Sequence, residues 1–176
     1  MKIADVFSEL AKLAKRRTFQ IKQQANCSLM QSACTIRPPQ SRDYDRMADL
    51  ARQLGYECTV QEVELRLDGM RDSNHYAIFV AEVPGGRIAG WIGAHVFRSV
   101  ETERCVEISG LIVDQQIRSR GIGKKLLDAA EEWARRLGCA AISVRSNVKR
   151  DRAHHFYTKN GYEHVKTRKE FRKNVR

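Results

Sequence analysis

The sequence contains no run of about 18 apolar residues, the length that a membrane-spanning helix needs, so we expect no transmembrane segment. Its first residues lack the apolar stretch and small-residue cleavage site of a secretory signal, which favours a cytoplasmic protein. No internal repeat occurs either, which argues against a solenoid or a propeller. With 176 residues, of which 42% are hydrophobic, the chain is long enough for one compact α/β domain with a sizeable core.

The cysteines and histidines show no metal-binding pattern. The five cysteines are odd in number and widely spaced, and none belongs to a CxxC or Cys/His zinc motif. We interpret them as reduced thiols that act as small buried hydrophobic residues. Because the histidines also lack ligand spacing, the sequence predicts no metal site. His75 and His95 fall at or in predicted strands, where a structural role is expected.

Positive charge is concentrated at the two ends of the chain. The formal net charge is +11, to which residues 1–33 contribute +4, residues 145–176 contribute +8 and residues 34–144 contribute −1. Such segments can attract an anionic ligand or an acidic partner, or can form a solvated surface. Nucleic-acid binding is not expected, since the sequence lacks a known reader motif and interleaved aromatic residues.

The first 33 residues form a separate N-terminal extension in this interpretation. Five large apolar residues, from Ile3 to Leu13, recur at helical spacing and predict an amphipathic helix over residues 2–17, followed by a weakly patterned linker over 20–33. An exposed apolar stripe is uncommon, so we expect the helix to pack on the main domain or on a second copy, which would give a homodimer. A helix on a membrane surface is the alternative. The main domain then covers residues 34–176.

Beyond the extension, the hydrophobic patterns predict a mixed α/β order. Strands are predicted at 34–37, 75–83, 87–97, 104–113 and 140–146, with a final hairpin over 162–173. Helices are predicted over 42–54, capped by Ser41, over 60–71, capped by Thr59, and over 121–137 and 150–159. The helical connection between the fourth and fifth strands predicts one parallel pair in an otherwise mostly antiparallel sheet.

Two glycines and four cations stand where the fourth strand meets the next helix, in the stretch "VDQQIRSRGIGKK". The first N–H groups of a helix have no internal partner and carry partial positive charge. Gly121 and Gly123 let the backbone approach a ligand closely, and the neighbouring cations suit phosphate groups. A Walker A loop does not fit, because Lys124 is followed by Lys125, and a dinucleotide fingerprint fails because residue 126 is leucine.

The pattern that fits is [Q/R]-x-x-G-x-[G/A], read from Arg118 to Gly123. A second segment, "SNVKRDRAHHFYTKNGYE", contains an asparagine after a strand and then A-x-x-F-Y-x-x-x-G-[YF]. In this order, with a strand before the glycines and a helix after them, the two segments resemble the signatures of the GNAT acetyltransferase superfamily. The resemblance covers residues 34–176.

This resemblance implies the GNAT fold, with a splay between the fourth and fifth strands, and acetyl-CoA as the cosubstrate. Backbone groups of Leu111, Ile112 and Val113 would bind the pantetheine arm and polarise the thioester carbonyl. The other residues that the resemblance assigns to CoA binding are Arg118, Ser119, Arg120, Gly121, Ile122, Gly123, Lys124, Asn147, Arg152 and Phe156. For Phe156 the alternative is a core aromatic.

The resemblance also implies direct attack of an amine on the thioester, without a covalent enzyme intermediate. Tyr157 matches the family's tyrosine that protonates the leaving thiolate, unless it is only a core aromatic. Glu107 lies between Val106 and Ile108 in an apolar strand, where burial raises a carboxylate's pKa toward a useful value for a base. The alternatives for Glu107 are a solvated strand residue and a carboxylate that only binds the acceptor.

The acceptor is the least defined partner. The carboxylates in residues 57–72 outnumber the arginines and give a local net charge of −3, which favours a cationic acceptor such as a polyamine, an aminoglycoside-like amine or a lysine side chain. The competing hypothesis is a GNAT-fold protein that binds CoA as a sensor or a partner-binding module without catalysis. The presence of both Glu107 and Tyr157 favours the enzyme.

Overall fold

The computed structural model describes residues 33–71 and 73–175, so the predicted helix over 2–17 and the linker over 20–33 lie outside the described residues. The elements, in chain order, are β1 Thr35–Arg37, α1 Tyr44–Gln53, α2 Val60–Arg71, β2 Tyr76–Val83, β3 Arg87–Phe97, β4 Cys105–Val113, α3 Ile122–Arg136, β5 Ile142–Val144 and α4 Asp151–Lys159. Short 3₁₀ turns cover Ser41–Asp43 and Gln115–Ile117. None of these helices has the length and apolar character needed to cross a membrane.

The five described strands form one sheet in the order β1-β2-β3-β4-β5. The first four pair antiparallel, and β4 and β5 pair parallel. The mixed, mostly antiparallel sheet is therefore confirmed. The parallel pair follows from the chain path, because α3 carries the chain from the end of β4 back to the start of β5.

Helices cover both faces of the sheet. On one face, Leu126, Leu127 and Ala130 of α3 are fully buried against a cluster that includes Ile92 and Val106. On the other face, Met47 and Leu50 of α1 pack with Val80, Ile88 and Ile112. The strands are thus buried on alternating sides, which fixes the face to which each strand residue belongs.

The predicted helix cap at Thr59 is found in the structure, whereas the predicted cap at Ser41 is not. Thr59 caps α2 as predicted: its hydroxyl accepts a hydrogen bond from the amide of Glu62 (3.2 Å), and its own amide donates to the Glu62 carboxylate (2.8 Å). The predicted cap at Ser41 is wrong, because Ser41 lies inside a 3₁₀ turn that begins after Gln40. The carboxylate of Asp43 accepts from the Gln40 amide (2.7 Å) and closes that turn instead.

The predicted hairpin over residues 162–173 is wrong. No described residue after α4 forms a strand, and residues 163–175 are exposed. The segment offers no Asn-Gly or Gly-Gly turn, and its alternation brings lysines and arginines together rather than apolar side chains. Only Tyr162 at its start packs against the core.

A buried carboxylate holds the junction between β4 and the loop that follows it. Asp114 is only 1% exposed, and its Oδ2 accepts hydrogen bonds from Arg46 of α1 and Arg87 of β3. Its Oδ1 accepts from the amide of Gln116 (3.1 Å), which starts the 3₁₀ turn. Burial opposes ionisation, but the amide and the two guanidinium groups outweigh it and lower the pKa of Asp114 below its ordinary value.

The Asp114→Asn variant tests this anchor. Because the folded pKa is lowered, the stabilisation is fully present above the unfolded value of about 3.9 and is lost as the pH falls through the folded value. We expect the variant to lower the free energy of unfolding by ~1–3 kcal/mol at pH 7, with a difference that shrinks below about pH 4. Urea unfolding from pH 7 to pH 3 measures both effects, and Asp45→Asn, at an exposed site, is the control. A difference that does not change with pH would contradict the linkage.

Candidate active site

The parallel strands β4 and β5 separate after a short pairing. Three pairs join them, Val106 with Ile142, Glu107 with Ser143 and Ile108 with Val144. Strand β4 then continues to Val113, paired only with β3. In that pairing Gly93 faces Gly110 and Ala94 faces Ile108, so Ser109 is an extra residue that forms a β-bulge where the separation begins.

One edge of β4 is therefore open from Ser109 to Val113. In an antiparallel pair, peptide groups point alternately toward the partner and away from it, so part of this backbone faces the gap left by β5. The side chains of Leu111 and Val113 pack with the α3 cluster, and that of Ile112 packs with the α1 cluster. The three predicted pantetheine-binding residues thus anchor the strand by their side chains and leave backbone groups at the open edge.

The loop that follows β4 brings the first turn of α3 toward the same gap. Gly121 is the N-cap of α3 and has φ = 74°, a left-handed conformation that strains any residue with a Cβ atom. Ser119 also has a positive φ of 62°. Ile122, by contrast, is buried in the core and fixes the start of the helix. The first amides of α3 have no acceptor within the helix and can bind an anion.

The predicted CoA-binding cations differ in their surroundings. The Nε atom of Arg118 donates to the carbonyl of Val113 (3.0 Å), which ties the loop to the end of β4. Lys124 pairs with Asp128 one turn along α3. Arg152, from α4, donates to the hydroxyl of Ser119 (3.2 Å) and so joins the second signature to the first. Arg120 is partly buried and also interacts with another group of the protein.

Gly123 lies where two elements approach α3 closely. A Cβ atom at this position would be 3.4 Å from the ring of Phe156 and 3.6 Å from Cγ2 of Val113. Phe156 is partly buried and packs against the core of the α3 face. Phe156 is therefore a core aromatic that also lies beside the glycine loop, and its contact with CoA stays a prediction.

Tyr157 lies beside Phe156 in an aromatic cluster. Its ring centroid is 5.3 Å from that of Phe156 and 5.4 Å from that of Tyr162. Burial raises the pKa of Tyr157 to about 12, while the positive charge of Arg150 acts in the opposite direction. The hydroxyl therefore keeps its proton throughout the neutral pH range.

Arg150 is a site residue that sequence analysis missed. It precedes α4, and its Nη2 donates to the carbonyl of Leu54 at the end of α1 (2.8 Å). This bond joins the α1 side of the molecule to the segment between β5 and α4. No local sequence pattern marks it, because the two residues are 96 positions apart.

Asn147, a predicted CoA-binding residue, is engaged within its own loop. Its side-chain oxygen accepts from the amide of Lys149 (3.0 Å), and its carbonyl lies 3.0 Å from Nε2 of His154. Among the described residues, no hydrogen bond connects Asn147 to the glycine loop. The asparagine therefore shapes the turn that leads from β5 to α4.

Glu107 is held by an arginine that sequence analysis did not assign. Its side chain is 12% exposed, and both Nε (2.9 Å) and Nη2 (2.6 Å) of Arg145 approach the same carboxylate oxygen, Oε1. The pKa of Arg145 is raised because Glu107 accepts these hydrogen bonds. Oε2 has no hydrogen-bond partner in the described part of the chain and is not sealed from solvent. No described contact joins Glu107 to Tyr157.

No metal-binding group accompanies these residues: in residues 33–71 and 73–175, no set of three or more His, Cys, Asp or Glu side chains is placed to hold an ion. The four cysteines in these ranges carry free thiols. The predicted site residues within these ranges offer backbone amides, cations, one tyrosine and one carboxylate.

Comparisons with known proteins find a matching family, relatives in sequence and proteins of similar fold. The model of the acetyltransferase (GNAT) family matches residues 44–162. The chain is 32% identical over 118 residues to the uncharacterized N-acetyltransferase YhdJ of Bacillus subtilis, covering 67% of this chain and 80% of that protein. It is 30% identical over 139 residues to the aminoalkylphosphonate N-acetyltransferase of Salmonella typhimurium, covering 73% and 84%. The aminoglycoside N-acetyltransferase AAC(6')-Iy in complex with CoA has a similar fold, with a TM-score of 0.72, 19% identity and coverage of 81% and 95%.

Substitution of Gly123 tests the close approach of the helix start. Gly123→Ala places Cβ at ordinary contact distance from Phe156, whereas Gly123→Val adds methyl groups that must displace the ring or the loop. Because overpacking costs about 1–3 kcal/mol, we expect about tenfold or more weaker acetyl-CoA binding for the valine variant and a smaller loss for alanine. Titration calorimetry measures the acetyl-CoA affinities of both variants.

Gly69→Val is the control, since a Cβ atom there has no neighbour within 4 Å. Equal affinities for all four proteins would refute the loop assignment.

Proposed function

The chain belongs to the GNAT acetyltransferase family and is an acetyl-CoA-dependent acetyltransferase, and we propose that it transfers the acetyl group to a primary amine by direct attack. In this proposal Glu107 binds the amine and accepts its proton, and Tyr157 protonates the leaving thiolate. The observation that carries it is the open edge of β4, which leads directly to the first turn of α3.

The residues present fit a bound acetyl-CoA. The open backbone of Leu111–Val113 matches the need of a pantetheine amide for strand-like hydrogen bonds, and the first amides of α3 match the need of a pyrophosphate for N–H donors. Arg118, Arg152 and the neighbouring lysine and arginine side chains supply the positive charge. A donor aimed at the thioester oxygen from this edge would stabilise the charge that develops during attack.

Tyr157 supplies the proton for the thiolate. As the amine nitrogen forms its bond to the carbonyl carbon, the C–S bond breaks and the sulfur takes the phenolic proton. The pKa of about 12 keeps this proton in place before the reaction. The positive charge of Arg150 favours the phenolate that remains, until the phenolate takes a proton from solvent.

Glu107 acts on the amine. Arg145 occupies Oε1 and orients the carboxylate, while Oε2 is not fully buried and has no hydrogen-bond partner among the described residues. Through Oε2 the carboxylate binds the acceptor and receives its proton, directly or through a water molecule. The ion pair with Arg145 fits both parts of this role, because an oriented carboxylate can bind the ammonium group and can also accept its proton.

Two acceptor classes follow from two observations. Glu57 and Glu64 form no ion pair within the described residues, and their charge favours a cationic acceptor, although Glu62 and Asp68 are paired with Arg66 (3.4 Å) and Arg71 (3.1 Å) of the same helix. The exposed guanidinium of Arg145 favours instead an amine that also carries an acidic group. A relative of this chain is named for aminoalkylphosphonates, which belong to the second class.

An acceptor panel tests the activity and separates the two classes. Release of CoA is measured with polyamines, aminoglycosides, a lysine peptide and aminoalkylphosphonates, each with acetyl-CoA at saturation. The highest kcat/KM should belong to a primary amine of one of these classes. If acetyl-CoA binds but no amine of the panel gives turnover, the protein is a CoA-binding sensor or partner-binding module and the proposal fails.

The acid role of Tyr157 is tested by Tyr157→Phe, which removes one hydroxyl and leaves the ring packing. We expect kcat to fall by roughly 10²-fold or more while the Kd for acetyl-CoA changes little, because general acid catalysis acts in the transition state. Tyr162→Phe is a matched control, since it removes a neighbouring hydroxyl that only donates to Glu131 (3.3 Å). If the two variants turn over equally fast, Tyr157 has only a packing role.

A further inference from the structure

A row of polar side chains crosses the sheet at the level of Glu107. The strand register places Tyr76 of β2 opposite His95 of β3, His95 opposite Glu107 of β4, and Glu107 opposite Ser143 of β5. Side chains directly opposite each other on neighbouring strands have Cβ atoms about 4.5–5.5 Å apart. We name Tyr76, His95 and Glu107 the acceptor row.

The acceptor row lies on the face of the sheet that carries α1 and α2. Val106 and Ile108 are buried on the α3 face, so Glu107 between them belongs to the opposite face. Trp91, on the same side of β3 as His95, packs with the α1 cluster and donates to the carbonyl of Met47 (3.3 Å). The acceptor row therefore lies on the same face of the sheet as α1, beyond the part of that face that α1 covers.

The acceptor row is open to a ligand. Tyr76 is 42% exposed, and His95 is partly exposed. The two rings are in loose contact, with centroids 6.3 Å apart. In the ranges that the structure describes, no hydrogen bond or ion pair engages the imidazole of His95, and no bond reaches it from α1 or α2. The charged and titratable groups that face it are Tyr76 and Glu107, with Arg145 behind Glu107.

We propose that the acceptor row binds the attacking amine and that His95 takes its proton. This inference rests on the proposed function but moves the role of proton acceptor from Glu107 to His95, so that Glu107 only binds the ammonium. It also revises the sequence-based expectation that His95 is structural. Glu107 is fixed by Arg145 and holds the ammonium through Oε2, while the imidazole next to it has no hydrogen-bond partner among the described residues and can accept a proton. Histidine is the side chain that most often acts as a general base in enzymes, which suits this role.

The step balances as follows. One proton moves from the ammonium to the imidazole of His95, directly or through a water molecule, and leaves a neutral amine. The amine lone pair forms the C–N bond to the thioester carbon, and the C–S electrons stay on sulfur, which is protonated by Tyr157. The nitrogen then loses to solvent the extra proton that it carries after the attack, the imidazolium of His95 releases its proton to solvent, and the phenolate of Tyr157 takes one proton from solvent. The acceptor class is an unhindered primary amine that is protonated in solution.

The ring of Tyr76 gives the row a second contact. Its face or edge can pack on the methylene groups next to the amine, or attract the ammonium before it is deprotonated. It contributes no step to the chemistry, so it affects binding of the acceptor rather than turnover.

The test compares His95→Asn with His75→Asn, whose histidine is exposed and immediately precedes β2. The readouts are kcat/KM for the best amine of the panel between pH 6 and pH 9, the KM for acetyl-CoA, and circular dichroism. We expect His95→Asn to lose roughly 10²-fold in kcat/KM for the amine at pH 7, with a smaller loss at pH 9, where free amine is already present. The KM for acetyl-CoA should stay within about twofold of the value for the His75→Asn control.

His95→Ala with added imidazole gives a second readout that a structural role would not produce. Free imidazole should restore part of the turnover of His95→Ala and none of that of Glu107→Gln. The inference is overturned if His95→Asn behaves like His75→Asn, or if its loss is the same at every pH and imidazole rescues nothing. If the unsubstituted protein acetylates no amine at all, it is the proposed function that fails, and the two failures are thereby distinguished.

Discussion

The separation of β5 from β4 is the constraint on which the rest of the site depends. Three residue pairs join the two strands, and then Ser109 interrupts the regular register of β4 against β3. A bulge increases the local twist and bends its strand, so the two strands cannot stay parallel beyond it. An open strand edge inside a folded domain leaves backbone groups unpaired, and a ligand that offers amide groups can satisfy them.

Arginines join the parts of the molecule that surround this separation. Arg46 and Arg87 meet on Asp114 at the end of β4, Arg150 reaches the end of α1, and Arg145 orients Glu107. A planar guanidinium can serve one carbonyl or carboxylate in a defined direction, which a flexible ammonium does less well. The basic character of the C-terminal third thus has a partly structural origin, besides its attraction for an anionic cosubstrate.

The parts that the sequence predicted are those whose cause is local. The cap at Thr59, the glycines at the start of α3 and the alternation of the central strands each depend on residues within a few positions, and each was found where expected. The ion pair of Asp114 with Arg46 joins residues 68 positions apart, and that of Glu107 with Arg145 joins residues 38 apart. Nothing near either residue signals its partner. The error in the hairpin after α4 has a related cause, because alternation without an apolar face and a turn does not fix a strand.

The proposed sites for the two substrates use different kinds of groups. This explains why the site for one substrate can be recognised in the sequence and the site for the other cannot. In the proposed site, acetyl-CoA would be held mainly by backbone groups, so the requirement falls on glycines and on the strand-to-helix turn, which leaves a compact motif in consecutive residues. The proposed acceptor row is formed by one side chain from each of three strands, joined only by register, and the arginine that holds Glu107 immediately follows β5. A substitution in the row leaves the strand backbone and the glycine loop unchanged. The choice of acceptor can therefore vary between proteins that share this fold and keep the same acetyl donor.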